Sequence, residues 1–91
     1  MDQARQYRIR GRVQGVGYRY FTQRTALRLG VRGWVRNLNN GDVEVHAEAT
    51  GSVLQSLRSE LERGPAHSEV IEVIEESREA TGRYISFEIR G

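Results

Sequence analysis

Two apolar-patterned runs between residues 31 and 49 are separated by little more than Asn39-Asn40-Gly41-Asp42. Asn-Gly between such runs is the strongest short-range signal for a β-hairpin, and its usual geometry is a type I′ turn. The hairpin fixes two antiparallel neighbours. Residues 31–38 form one strand, holding Trp34 and Val35. The next has Val43, Val45 and Ala47 on one face and Glu44, His46 and Glu48 on the other.

A helical pattern flanks the hairpin on each side. Residues 19–29 set Phe21, Thr22, Thr25, Ala26 and Leu29 on one stripe, with Gly30 as the stop. Thr50-Gly51-Ser52 breaks the hairpin's second strand and offers a cap for residues 52–63, where Val53, Leu54, Leu57 and Leu61 share a face before Gly64-Pro65. Further out, residues 5–13 read as a strand with Tyr7, Ile9 and Val13 on one face. Residues 69–75 fit a helix or a strand, and four β-branched residues among positions 70–74 favour the strand. After the loop Glu79-Ala80-Thr81-Gly82, residues 84–89 form a closing strand with Ile85, Phe87 and Ile89 inward. The order β-α-β-β-α-β plus a short strand is the ferredoxin-like α+β sandwich, two helices on one face of an antiparallel sheet. With no linker, repeat or low-complexity segment, residues 1–91 are expected to be a single domain. The layout hosts many functions and names none.

The composition narrows the chemistry. Hydrophobic residues at 37% and charged ones at 29% suit a small globule rather than a disordered chain. No apolar run approaches a membrane span, Met1–Gln6 lacks a signal-peptide core, and cysteine is absent, so the cytoplasm is the default location. All 14 basic residues are arginine, which excludes a lysine nucleophile, a Schiff base and a Walker-type lysine. Residues 1–41 hold nine arginines and one acid, Asp2, whereas residues 42–91 hold five arginines and eleven acids. The positive half favours a small anionic ligand, although Arg8, Arg10 and Arg12 alternate along one strand face as solvated side chains would. His46 and His67 lack ligand spacing and are expected to bind no metal. The acids of residues 60–79 read as a solvated surface. Trp34, Tyr18 and Tyr84 have faces that bases can stack on, but core roles are expected in so small a chain.

The chemistry concentrates in Gly11-Arg12-Val13-Gln14-Gly15-Val16-Gly17-Tyr18-Arg19. A strand, a glycine loop, an arginine and a helix start together make a phosphate holder. Glycines let main-chain N–H groups turn toward one point, the helix start adds unpaired N–H groups, and a guanidinium adds planar charged donors. The same arrangement also serves as an ordinary turn. Asn37, at the end of the second strand, is either a turn residue or an amide that orients a water. If the first and third strands are neighbours, the glycine loop and Asn37 reach one small ligand together.

Ile9–Arg19 closely resembles the first signature of the acylphosphatases, and Gly33-Trp34-Val35-Arg36-Asn37 with Gly41 and Val43 resembles their second. The likeness spans nearly the whole chain, including Gly64-Pro65 and Phe87-Glu88-Ile89-Arg90. It implies a ferredoxin-like enzyme, generally cytosolic and monomeric, that hydrolyses acyl phosphates to a carboxylate and inorganic phosphate without metal or cofactor. By the match, Arg19 binds the phosphate with the N–H groups of Gln14, Gly15, Val16, Gly17, Tyr18 and Arg19, and Asn37 positions the attacking water. Inorganic phosphate is then both product and inhibitor, and neither nucleic acid nor membrane is a partner. Two positions depart from the pattern: Tyr18 replaces a usual Phe or Met, so its hydroxyl needs a partner or solvent, and Ala49 replaces a usual Gly.

A mixed anhydride has a good carboxylate leaving group, so the chemistry needs charge stabilisation on the phosphoryl oxygens and a water held in line. An amide is no base near neutral pH, which leaves the substrate's own phosphate oxygen to take the water's proton. A pocket that grips mainly the phosphate specifies the acyl group loosely. Two other readings compete: an RNA-binding ferredoxin-like module, and a domain that binds phosphate or carbamoyl phosphate without turnover.

Overall fold

The computed structural model describes all 91 residues, Met1–Gly91. Its elements are β1 (Gln3–Arg12), α1 (Tyr18–Leu29), β2 (Arg32–Asn37), β3 (Val43–Ala49), α2 (Gly51–Arg63), β4 (Glu69–Arg78) and β5 (Phe87–Arg90). The sheet order is β4-β1-β3-β2-β5. The first four strands pair antiparallel, and β5 joins the edge parallel to β2. The expected antiparallel sheet is therefore a mixed one, and the ferredoxin-like layout stands with that addition. The ambiguous segment is strand β4, and it runs three residues past the expected end.

The inward faces of the strands meet the apolar stripes of both helices. Tyr7, Ile9, Val35, Val43, Val45 and Ala47 pack in one core with Ala26, Leu54, Leu57 and Leu61. α1 lies against β2 and β5, while α2 lies against β4, β3 and β1. Thr50 occupies the cap position of α2, but its side chain makes no capping bond.

Two local expectations fail for physical reasons. The β2–β3 connection is not type I′, because Gly41 alone has positive φ (97°) and Asn40 does not. Gly41 N–H bonds Leu38 O (3.2 Å) and Leu38 N–H bonds Asp42 O (2.8 Å), the pattern of a three-residue loop closed by a glycine bulge. Of the three residues expected inward, only Phe87 is: Ile85 is 96% and Ile89 40% exposed. Residues 79–86 do not extend β5 but cross the outer face of the sheet. Pairing starts only where Ser86 O accepts Gly33 N–H (3.0 Å), so Phe87 is the first closing-strand residue to enter the core.

The crossing segment is pinned by Glu48, which is fully buried on that outer face. Its carboxylate accepts bonds from Thr81 N–H (3.1 Å), Thr81 Oγ1 (3.0 Å) and Gly82 N–H (3.0 Å), and pairs with His46 Nε2 at 2.8 Å. Burial raises the carboxyl's pKa, but the bonds from His46, Gly82 and Thr81 outweigh it and bring the value down to about 2.

Candidate active site

β1 and β2 end at the same side of the sheet because β3 lies between them. A register shift at Arg10/Gly11 leads β1 into the loop of residues 13–17. There Gly15 (φ 76°) and Gly17 (φ 78°) are left-handed, and α1 begins at Tyr18. A Cβ at either glycine would meet nothing within 4 Å, so backbone conformation, not space, requires them.

That path leaves a run of free donors. The main-chain N–H groups of Gln14, Gly15, Val16 and Gly17 donate to no protein acceptor, and those of Tyr18, Arg19 and Tyr20 make no bond back to the turn before the helix. The first satisfied one is Phe21 N–H, to Gly17 O at 3.0 Å. Consecutive N–H groups of this kind can form a nest for an anion, with the positive end of α1 beside them.

The loop is braced from both sides. Gln14 Nε2 donates to Leu38 O (2.8 Å) and to Asp42 O (2.9 Å), tying the loop to the hairpin. Arg19 Nη1 donates to Arg90 O at 3.1 Å, so β5 orients the guanidinium. Gln23 Nε2 reaches Phe87 O (3.2 Å) and holds α1 to the same strand.

Val13, Gln14, Gly15, Gly17, Tyr18, Arg19, Tyr20, Asn37 and Ile89 line one cleft of about 230 Å³. The structure thus brings Gln14, Gly15, Gly17, Tyr18, Arg19 and Asn37 together. Val16 lines the adjoining hollow instead. Tyr18 contributes only backbone, since its ring is buried and its hydroxyl donates to Leu61 O at 2.7 Å. Burial pushes that phenol's pKa upward. The extra hydroxyl therefore has its partner.

Asn37 closes β2 opposite Val43. Its Oδ1 is buried and has no protein partner. The turn role belongs to Asn40, whose Oδ1 accepts Asp42 N–H at 3.0 Å. The cleft thus gathers unpartnered N–H groups, the Arg19 side chain and Asn37 on one wall.

Sequence reasoning missed Val13, Tyr20 and Ile89 as cleft residues, and Arg90 O as the brace. Tyr20 carried a faint signal, an aromatic at the helix start off the buried stripe. Ile89 and Arg90 had none, because their placement depends on parallel pairing with β2. The outer sheet face offers little to RNA. Trp34 is buried there, stacked on His46 (centroids 6.0 Å), with the Arg36 and Arg90 guanidiniums 5.3 and 4.8 Å from its ring centroid.

The acylphosphatase family profile matches residues 5–89. The chain is 51% identical over 89 residues to an acylphosphatase of Solibacter usitatus, covering 98% of this chain and 92% of that one. Identity to an acylphosphatase of Pasteurella multocida is 41% over 86 residues, covering 94% and 96%. The crystal structure of acylphosphatase from Bacillus subtilis superposes with a TM-score of 0.93 at 35% identity over all of both chains. With matches over nearly its whole length in both sequence and structure, the chain belongs to the acylphosphatase family.

Proposed function

We propose that the cleft hydrolyses the carboxyl–phosphate bond of acyl phosphates. The observation that carries this reading is the run of unpartnered N–H groups from Gln14 to Tyr20, in a cleft that Arg19 and Asn37 also line. The nest and Arg19 hold the three phosphoryl oxygens and stabilise their charge as the bond breaks. The Asn37 side-chain amide, on the cleft wall, hydrogen-bonds a water and aims its lone pair at phosphorus. The water oxygen bonds to phosphorus, the bridging bond breaks, and the carboxylate leaves with its electron pair. The water's proton passes to a phosphoryl oxygen, since the cleft holds no carboxylate or imidazole to take it.

The lining holds no carboxylate, imidazole or thiolate to anchor a cation, and in this scheme Arg19 and the loop N–H groups stabilise the charge without a metal. Inorganic phosphate, as product, competes for the same nest. Cytoplasmic location and a monomeric, single-domain form belong to the same proposal. The cysteine-free composition supports the first, and the carboxylates along edge strand β4, which discourage strand addition, support the second.

The test is hydrolysis of benzoyl phosphate by purified protein in excess EDTA. Turnover unaffected by the chelator is expected. A folded protein that binds phosphate but turns over nothing would overturn the reading in favour of a binding module.

A further inference from the structure

The sequence's nine N-terminal-half arginines are not equivalent in space. Arg5 pairs with Glu75, Arg8 with Asp42, Arg10 with Glu72, Arg32 with Asp2 and Arg36 with Glu44. Arg12, Arg19, Arg24 and Arg28 have no carboxylate partner within ion-pair distance. Arg19 serves the cleft. Arg24 and Arg28 follow Tyr20 at four-residue steps on one face of α1.

These two cations flank a second hollow, of about 560 Å³, that shares Gly17 and Tyr20 with the phosphate cleft. Tyr20 is the common wall, and the Arg24 guanidinium carbon sits 5.5 Å from its ring centroid. Val16 and Phe21 give the hollow apolar surface. One carboxylate, Glu60, also lines it, but that group is held by Arg63 at 2.6 Å. A group bonded to a phosphoryl in the nest and laid along Tyr20 therefore ends beside unpaired positive charge.

We propose that this hollow is an acyl subsite for substrates with a second negative charge: acyl phosphates whose chain ends in a carboxylate or phosphate. The inference rests on the acyl-phosphate reading and narrows it, because the acyl group is then selected rather than merely tolerated. Phosphate sits in the nest, the chain lies over the Tyr20 ring, and the terminal anion meets Arg24 first and Arg28 further along α1.

Direct calorimetric binding of stable phosphonates tests this without relying on turnover. The probes are 4-phosphonobutanoate and 6-phosphonohexanoate, each against the alkylphosphonate of equal length, pentylphosphonate and heptylphosphonate. At low salt, at least one carboxylate-tailed ligand should bind about five- to tenfold tighter than its uncharged counterpart, as charge-assisted contacts at a half-open site allow. The Arg24→Gln/Arg28→Gln variant should lose that preference while holding pentylphosphonate as the parent does. Arg83→Gln, remote from the hollow, should keep it. Equal affinity for charged and uncharged tails at both lengths overturns the subsite, as does a preference that survives in the double variant or vanishes equally in Arg83→Gln. Failure to hydrolyse benzoyl phosphate would instead overturn the underlying reading, and the two failures are scored separately.

Discussion

Asn37 and Tyr18 show how far a single residue's role can be read from its type. By type Asn37 reads first as a turn residue, yet it lines the cleft and its buried Oδ1 has no protein partner. Asn40, two residues before Asp42, took the turn. Tyr18 borders the cleft by position and belongs to the core by side chain. Its hydroxyl reaches Leu61 O across the helix pair at 2.7 Å. Tyr18→Phe should therefore lower stability by about 1 kcal/mol, the usual net worth of one hydrogen bond, and leave kcat near the parent value. Urea unfolding and benzoyl phosphate kinetics on the same sample check this; a large kcat loss would mean that the hydroxyl acts in the cleft.

At the scale of elements, the sequence made the glycine loop, both helices and four of the strands legible, because each depends on local periodicity or backbone conformation. Gly15 and Gly17 read correctly as an opening in the chain, and both adopt positive φ. Gly17→Ala forces a Cβ into that conformation at a cost of about 1–2 kcal/mol. It should also weaken phosphate binding more than its stability loss predicts, since the nest depends on the same dihedrals. A variant of normal phosphate affinity would detach the nest from the site. The β2–β3 turn type and the closing strand were less legible. Asn-Gly permits both a two-residue turn and a glycine bulge, and the alternation at residues 84–89 says nothing about where pairing begins. Glu48 was invisible as well. Its strand position suggested a solvent-facing side chain, and only the non-local crossing of residues 79–86 buries it.

At the scale of the whole molecule, much of the charge segregation along the sequence becomes charge pairing in space. Arg5, Arg8 and Arg10 of β1 meet carboxylates of β4 and the hairpin, while Arg12 at the end of β1 and Arg19, Arg24 and Arg28 of α1 do not. Stability at low pH should follow Glu48. Its folded pKa, about 2, lies below the ordinary 4.5, so its contribution is complete above about 4.5 and is lost as pH falls toward 2. Urea midpoints should decline across that window, and Glu48→Gln should start lower and decline less steeply. Parallel slopes in the two proteins would show that other carboxylates govern acid unfolding. In the proposed mechanism Arg19 and the loop N–H groups hold the phosphoryl charge and Asn37 holds the water. The most direct test measures phosphate affinity and benzoyl phosphate turnover together in the parent, Arg19→Ala and Asn37→Ala. Arg19→Ala should lose both, and Asn37→Ala should lose about 10²–10³ in kcat while keeping phosphate affinity. Unchanged kcat in Asn37→Ala, or full phosphate affinity in Arg19→Ala, would contradict it.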